Sequence, residues 1–393
     1  DTCGGRSPVV TNAALWNRRY FDRPSSGGES IDYRSSGIAH RVWAQLISRA
    51  TGATVGYVTK DLRGFTLEKN LNATTRNGAT LDLAVTQDID WSSVVVRLWL
   101  VLTLGAWEET HPLITGYPTV SGYDRKDGAV DVDVTIKDMT SVLDDVLGKN
   151  VAYPAGTLAV SVMSSILDNL HVRDYRVESS PATLRTAITA KPGDTWRSVV
   201  TAIAEHIGYA AAWSDPRGKI ILAPYIAPEA RAEVFTVGYD ERSISLPSVA
   251  EERKTEAANH FVLTTGGETP LVAEGWNTDP LSPFSTVNQR VIAHYEQVEA
   301  DSQATLNAKL TQVMADEVRP NTSYTVSHRW FPLSVSEELE LQDAGRIVAP
   351  ARVVDGQTIV QPLDAKVTLT KQSFSWSKGE PLSVAQAEFR GVE

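Results

Sequence analysis

Several segments in the first third of the chain have the apolar pattern of β-strands. Apolar and polar residues alternate with a period of two in Leu81–Val85 and Val130–Ile136, which predicts half-buried strands. Val94–Leu104 is an almost continuous apolar run rich in β-branched residues, which favours a long buried or interface strand. Residues 107–120 predict two further strands, divided around Pro112.

Three other segments repeat apolar residues at intervals of three and four, which predicts amphipathic helices. These helices cover Ser36–Thr51, Thr157–Leu170 and Asp301–Val318. Gly52 follows the first helix as a stop, and Arg319-Pro320 ends the third. The third helix directs four apolar side chains inward: Leu306, Leu310, Val313 and Met314.

Residues 191–225 combine a capped helix with a hairpin. Asp194 is the predicted N-cap, because its short side chain can accept from free N–H groups of the first turn. Gly208 can adopt the left-handed conformation that ends a helix. We expect Trp196 and Ile203 to face the hairpin that follows. That hairpin has three parts: the strand Tyr209–Trp213, the turn Ser214–Gly218 and the return strand Lys219–Tyr225.

These elements predict a β-rich α+β fold with more than one domain, as the length of 393 residues also suggests. Strand patterns return late in the chain, in Phe235–Ser248, Glu256–Thr265, Tyr324–Trp330, Val367–Trp376 and Ser383–Arg390. The predicted organisation is an N-terminal extension with a helix at 1–52, a first β domain at 53–140, an α+β insert at 141–234, and a second β domain at 235–393 with an inserted helix near 301–319.

Composition limits the class of protein. Hydrophobic residues make up 42% and charged residues 22%, so the chain is folded and globular. The formal net charge of −11 argues against sequence-specific binding of nucleic acid, since an acidic surface does not hold phosphates. The lone Cys3 excludes an internal disulfide framework and a cysteine-based metal cluster. The apolar run Val94–Leu104 is too short to span a bilayer, and we expect neither a membrane span nor a secretion signal.

The titratable residues do not form a recognisable catalytic, cofactor or metal motif, so we predict no enzyme activity, no cofactor and no metal ligand. The histidines lie too far apart for a helical zinc pair, and His206 is expected at the surface. Carboxylate doublets are read as solvated faces: Glu108-Glu109, Asp144-Asp145, Glu251-Glu252 and Glu337-Glu338. The aspartates near one predicted hairpin, which are Asp124, Asp127, Asp131 and Asp133, lack the spacing of an EF-hand loop.

The order of these parts resembles the tail hub proteins of long-tailed bacteriophages, the minor tail proteins of siphophage type. In that family a helix leads into a hairpin through conserved positions that are filled here by Ile203-Ala204, Gly208, Asp215, Gly218 and Pro224. Other family segments resemble Ile114–Tyr117, Asp127-Gly128, Val132–Asp138, Asn259–Thr265 and Leu339–Val348. In the third of these, Asp138 is expected to cap the helix that leaves the strand. The resemblance covers residues 53–393, and Asn259–Thr265 would open the second β domain.

The resemblance implies that each β domain is a tail-tube-like β-barrel and that the protein is structural. It implies a homotrimer, whose three chains form a pseudo-sixfold ring at the distal end of the phage tail, in the virion. The ring would contact a distal tail or tail tube protein on one side and a tip or fibre protein on the other. The tape measure protein and genomic DNA would pass through its lumen. Because exposed lysine or arginine would attract DNA by counterion release, we expect acidic and small polar residues to line this lumen.

Two alternatives from other functional classes remain open. A tail-associated cell-wall hydrolase would need an additional catalytic domain, and no segment of the sequence has that character. A tail protein that binds host glycans is favoured only by the aromatic content of 10 Trp and 12 Tyr.

Overall fold

The structure is a computed structural model with a mostly β fold. It describes residues 38–85, 89–126, 129–238, 248–252, 256–266, 269–318, 321–328, 341–349, 352–354, 357–360, 362–380 and 385–392. The strands of the first β region and the insert are β1 (Ala39–Ser48), β2 (Thr54–Val58), β3 (Leu62–Asn70), β4 (Asn77–Val85), β5 (Val94–Leu104), β6 (Trp107–Lys126), β7 (Ala129–Asp138), β8 (Val151–Tyr153), β9 (Tyr175–Val177), β10 (Ile188–Ala190), β11 (Trp213–Ser214) and β12 (Ile220–Leu222).

The later strands are β13 (Glu233–Gly238), β14 (Ser248–Glu252), β15 (His260–Thr264), β16 (Val272–Trp276), β17 (Ala293–Gln297), β18 (Asn321–His328), β19 (Ala344–Ala349), β20 (Arg352–Val354), β21 (Gln357–Val360), β22 (Leu363–Ser377) and β23 (Ala385–Gly391). The α-helices of the described residues are α1 (Ala159–Asn169), α2 (Trp196–His206) and α3 (Gln303–Val318). Short 3-10 turns cover Trp91–Ser93, Met139–Asp144 and Pro228–Ala230. Within this part of the chain, none of the helices has the length and apolar content that crossing a bilayer requires.

A single sheet of 13 strands joins the two β regions that the sequence predicts. Its main path runs β14-β18-β23-β22-β3-β4-β7-β6-β5-β1-β2, and β19 pairs with β22 and β13 beside it. The regions meet where β22 pairs antiparallel with β3, from Lys371 opposite Asn70 to Ser377 opposite Gly64. Among the described residues the pairing forms an open path and not two closed barrels.

The first β region curls around one apolar core. Inward side chains from both ends of its strand path meet there, including Leu46 of β1, Leu81 of β4, Leu98 of β5 and Val134 of β7. Trp376 of β22 packs into the same core. The late strand β22 therefore completes a core that is otherwise built from the first third of the chain.

The predicted strands β4, β5 and β7 are confirmed, and β5 has the bounds Val94–Leu104 expected from the apolar run. The predicted helix over Ser36–Thr51 is wrong, because residues 39–48 form β1. Val42, Ala44 and Leu46 all point into the core at a period of two, and β1 pairs with β5 along its whole length. This long-range pairing overrides the helical spacing of the same apolar residues.

Pro112 does not divide the predicted strands, because β6 continues through it for 20 residues. The register between β5 and β6 shifts here, so that Leu98 lies opposite Ile114 and Trp99 lies opposite Pro112. Leu113 is thus an extra residue in β6. The bulge lets proline enter the ladder without a backbone N–H donor.

The insert has its own core between α1, α2 and short strands. Trp196 and Ile203 pack in this core with Ile220 and Leu222 of the hairpin, which confirms the predicted phase of the helix. The N-cap prediction is wrong by one residue, since Thr195 Oγ1 accepts from the Ser198 N–H at 3.2 Å. The hairpin strands are shorter than predicted, because pairing between β11 and β12 covers only two residues on each strand.

Two other local predictions for the insert are confirmed. Asp138 caps the 3-10 turn that leaves β7, and its carboxylate accepts from the Thr140 N–H at 2.9 Å. Gly208 ends α2 with φ +72°.

Residues 256–318 form a small α+β unit that the sequence did not predict as such. The strand β15 was expected to open the second β domain, but it pairs only with β16 and β17 among the described strands. The inward residues Phe261 and Leu263 pack against Leu306 and Leu310 of α3. The helix predicted over Asp301–Val318 is confirmed, and it belongs to this unit; Arg319-Pro320 lies outside the described residues.

The second β region packs β13, β18, β19, β22 and β23 around a smaller core of eight buried side chains. Val326, Val367, Leu369 and Ala387 are its most enclosed members. β22 and β23 correspond to the predicted strands Val367–Trp376 and Ser383–Arg390 and pair antiparallel, and Gly379 after β22 has φ +88°. The predictions for Asp127-Gly128, for residues 239–247 and for residues 329–340 lie outside the described residues.

Candidate functional site

One face of the joined sheet is polar across the seam between the two β regions. Most inward residues along β22, β3, β4 and β7 are apolar, with the buried pair Lys69 and Gln372 as an exception, and the residues between them point to the other side. Short polar side chains dominate that outward side. They include Ser373, Ser375, Thr66, Glu68, Thr80, Asp82, Asp133 and Thr135. We call this surface the polar face.

Aspartates crowd the end of the polar face near the tip of β6 and β7. Asp82 of β4 lies directly opposite Asp133 of β7, and Asp131 of β7 lies directly opposite Asp124 of β6. Like charges in directly opposed positions destabilise a sheet.

Arg63 links two of these aspartates. Its guanidinium lies 2.7 Å from Asp82 Oδ1 and 3.0 Å from Asp131 Oδ1. The hydrogen bond to Asp82 and the charges of both aspartates raise the pKa of Arg63. Further along the face, Lys371 Nζ lies 3.6 Å from Glu68 and 3.7 Å from Glu388. Arg63 and Lys371 are thus each matched to carboxylates of the same face, whereas Lys137 and Arg76 add positive charge to the lining of the seam.

A shallow groove of about 620 Å³ runs along the seam. Outward residues of β22, β3, β4 and β7 form its floor, and Ala73 and Arg76 from the loop between β3 and β4 line one edge. The groove offers hydroxyl groups and a few charges on a flat sheet. Such a surface differs from a usual catalytic centre, in which reactive groups converge in an enclosed site.

The insert is fastened to the same sheet through its hairpin turn. Thr115 Oγ1 on β6 donates to the Pro216 carbonyl at 2.8 Å. Gly218, with φ +88°, approaches so closely that a Cβ there would lie 2.8 Å from Thr115 Cγ2. Asn77 Nδ2 donates to the Ser214 carbonyl at 3.2 Å. The position of the insert relative to the polar face is therefore set by direct packing and hydrogen bonds.

Asp138 lies beneath this junction with its carboxylate buried. It accepts from the Asn77 N–H at 3.0 Å and from both the N–H and the hydroxyl of Thr140. Burial raises the pKa of Asp138, while these hydrogen bonds and Arg197 act in the opposite direction. Because donors from separate segments satisfy this buried carboxylate, Asp138 acts as a structural connector between β4, β7 and the insert.

His206 is buried, so the expectation of a surface histidine is wrong. Its side chain is 2% exposed. The Arg185 N–H donates to His206 Nε2 at 2.9 Å, and Nδ1 lies 3.7 Å from Glu299 Oε2. The small unit of residues 256–318 covers the helix face that looks solvent-exposed in the sequence. A backbone hydrogen bond also joins α2 to this unit, since the Asp301 N–H donates to the His206 carbonyl at 3.0 Å.

The other titratable candidates are dispersed over separate places. His111 lies 3.3 Å from Glu109, His260 lies 3.0 Å from Glu274, and His294 lies 3.3 Å from Glu296. Of the doublets, Glu108 pairs with Arg41 and Asp144 pairs with Arg197. Within the described residues, no three His, Cys, Asp or Glu side chains come together as a metal site would require.

The sequence analysis did not identify the polar face, although part of its signal is visible. Ser373, Ser375 and Ser377 alternate with Phe374 and Trp376 in β22. This alternation marks a strand with one polar face of small residues. It does not show that β3 lies beside β22, which is what makes the face continuous.

Neither a family model nor a curated protein matches this sequence. Solved structures are similar in fold. The tail protein from Neisseria meningitidis MC58 has a TM-score of 0.55 at 14% identity, over 90% of this chain and 96% of that chain. The 43 kDa tail protein of prophage MuSo2 from Shewanella oneidensis has a TM-score of 0.54 at 11% identity, over 90% of this chain and 97% of that chain.

A third relative is the prophage tail protein gp18 from Listeria monocytogenes EGD-e. Its TM-score is 0.50 at 8% identity, over 89% of this chain and 94% of that chain. The likeness in fold thus extends over about nine tenths of this chain and nearly the whole of each of the three solved structures. This chain has the fold of phage tail proteins.

Proposed function

We propose that this protein is a structural component of a phage tail, a hub whose three copies form a ring at the distal end. Two features support the proposal. The fold is shared with three tail proteins over about nine tenths of the chain. The polar face runs without interruption from the second β region into the first. The proposal depends most on the continuity of this face, because the lumen of a ring must be lined by an uninterrupted surface.

The two β regions explain how a trimer fits a sixfold tube. Each chain contributes two β regions side by side, so three chains contribute six around one axis. Cyclic symmetry of this kind lets one side of the ring match a hexameric tube and the other a threefold tip. In this arrangement the partners are a distal tail or tail tube protein on one side and a tip or fibre protein on the other.

The polar face is assigned to the channel through which the tape measure protein and genomic DNA pass. Exposed lysine or arginine side chains there would attract phosphates by releasing counterions. The cluster around Asp82, Asp131 and Asp133 would repel them, and Arg63 is already held by two of these carboxylates. Hydroxyl groups of serine and threonine add a wetted surface without positive charge. DNA would therefore slide past this wall without being retained.

An electron cryo-microscopy reconstruction of the tail end tests this assignment. The expected map has three copies of the chain, with Thr80, Asp133 and Ser375 facing the axis. Six or two copies at this level would contradict the trimer. Three copies in which the polar face contacts another protein would contradict the assignment of this face to the channel wall, but not the trimer.

A charge reversal in assembled particles provides a second test. Asp133→Lys adds positive charge to the exposed polar face, and we expect slower DNA ejection from intact tails. Glu205→Lys is the matched control, since Glu205 is exposed on α2 of the insert. Equal ejection rates for the two variants would contradict the channel role. Digestion of peptidoglycan by the purified chain would support the hydrolase alternative instead.

A further inference from the structure

A second recess lies where the insert meets the first β region. This cleft has a volume of about 830 Å³ and lies between the outer side of β1, β5 and β6 and the insert. Four arginines from separate parts of the chain line it: Arg49, Arg97, Arg173 and Arg217. We call it the arginine cleft. It is distinct from the seam groove of the polar face.

Neighbouring oxygen atoms hold the arginines in place. Arg97 Nε donates to Thr115 Oγ1 at 2.8 Å, and its Nη2 donates to the Arg217 carbonyl at 2.5 Å. Arg49 Nε donates to the Val94 carbonyl at 2.9 Å, and its guanidinium lies 4.8 Å from the Tyr117 ring centroid.

Arg173 reaches across from the insert to the same place. Its Nε donates to the Arg49 carbonyl at 3.3 Å, and its Nη2 donates to the Ala50 carbonyl. These bonds tie the insert to the end of β1. The cleft is therefore built before any ligand arrives, which reduces the entropy that binding would cost.

Positive charge exceeds negative charge among the side chains that line the cleft. Asp145 and Asp174 are its carboxylates, and Asp174 also lies 3.5 Å from Lys219 Nζ. Carbonyl and hydroxyl oxygens orient a guanidinium without neutralising its charge. Burial and the charge of Arg217 lower the pKa of Arg97, while the charges of Asp215 and Asp174 act in the opposite direction. The chain as a whole carries −11, so a local excess of positive charge is unusual here.

Apolar side chains line the cleft between the arginines. They are Ile47, Val95, Pro118, Met139, Val142 and Leu170. A free inorganic anion would use only the arginines. A polypeptide segment would use both kinds of surface, since its carboxylates would meet guanidinium groups while its apolar side chains lie against the floor. Nucleic acid fits less well, because its phosphates would use the arginines while its backbone has no apolar side chains to place between them.

We propose that the arginine cleft binds an extended segment of a protein partner that carries aspartate or glutamate beside apolar residues. Arg173 and Arg217 engage the carboxylates at the cleft wall, and Arg97 supports them from below. Bidentate pairing of guanidinium with carboxylate makes arginine suited to this role. All of the residues that line the site belong to one chain, so its binding can be measured on the free chain without the trimeric ring.

Fluorescence anisotropy on the full chain tests the site. The probe is a short fluorescein-labelled peptide in which Glu alternates with Leu, and we expect saturable binding that weakens as NaCl is added. The double variant Arg173→Gln, Arg217→Gln should raise Kd by at least about tenfold, which corresponds to about 1.4 kcal/mol. Arg290→Gln is the control, because this exposed arginine pairs with Glu256 in the small unit. Its Kd should equal that of the wild type.

Three further results distinguish the ligand class and the role of the fold. A Gln–Leu peptide that binds as tightly would show an apolar groove and overturn the role of the arginines. A single-stranded thymidine oligonucleotide that displaces the Glu–Leu peptide and binds more tightly would overturn the protein partner. Absence of saturable binding to the wild type would overturn the site itself. Arg217→Lys keeps the charge and should retain part of the affinity, which separates lost binding from lost folding when thermal unfolding is recorded in parallel.

Discussion

The indole of Trp376 donates a hydrogen bond to the imidazole of His40, with 2.9 Å between Nε1 and Nε2, across 336 positions of the sequence. The two rings also meet edge to face, with centroids 6.2 Å apart. His40 lies on β1 and Trp376 on β22, which are at opposite ends of the strand path around the first core. Side chains therefore connect two strands that backbone pairing leaves apart.

This contact predicts a dependence of stability on pH. Burial lowers the pKa of His40 from its ordinary value of 6.5, which fits an Nε2 that accepts a hydrogen bond. The stabilisation is complete above pH 6.5 and is lost as the pH falls through the lowered pKa. We expect the thermal unfolding midpoint to fall on acidification in this range. His40→Gln keeps an acceptor without titrating there, so its midpoint should fall less. Parallel curves for the two proteins would contradict the role of His40.

Gly218 allows the insert to pack against the sheet. Gly218→Ala should lower the free energy of unfolding in two ways. Alanine is strained at φ +88°, and its Cβ would lie only 2.8 Å from Thr115 Cγ2. Gly156→Ala is the matched control, because φ there is +83° and none of the described atoms lies within 4 Å of its Cβ. The conformational cost alone is about 1–2 kcal/mol. Urea unfolding should show a larger loss for Gly218→Ala, and equal losses would mean that the close approach has no energetic effect.

Ile203 anchors α2 to the core of the insert. It is 0% exposed, so Ile203→Ala should lower the free energy of unfolding by about 2–5 kcal/mol through lost burial and a cavity. Glu205→Gln on the exposed side of the same helix should change it by less than about 0.5 kcal/mol. Denaturant titrations monitored by circular dichroism measure both. An unchanged midpoint for Ile203→Ala would show that this side chain does not support the fold.

The ionised carboxylate of Glu299 should stabilise the contact between the insert and the small unit. Its contact with the His206 side chain lowers the pKa of Glu299 from 4.5, although 3.7 Å makes this an electrostatic contact and not a direct hydrogen bond. The stabilisation is present above pH 4.5 and is lost as the pH falls through the lowered pKa. We expect Glu299→Gln to flatten the acid limb of a thermal unfolding series. Glu256→Gln, in an exposed ion pair, should leave the limb unchanged.

Local patterns in the sequence determined many of the elements. The alternation in Val130–Ile136 predicted β7, the apolar run Val94–Leu104 predicted β5, and Asp138 was recognised as a cap. Gly208 and the turn ending at Gly218 were also placed correctly. These features depend on interactions among residues a few positions apart, or on a regular division between a buried and an exposed side. Both can be read along a single segment.

Only the tertiary structure decided the remainder. The spacing of Val42 and Leu46 suits a helix or a strand, and pairing with β5 selects the strand. His206 looks exposed on its helix until the unit of residues 256–318 covers it. The polar face exists because β22 lies beside β3, about three hundred positions earlier in the chain. Partners so far apart leave no periodic signal in either segment, because the free energy that selects them arises from burial and strand pairing in the assembled fold.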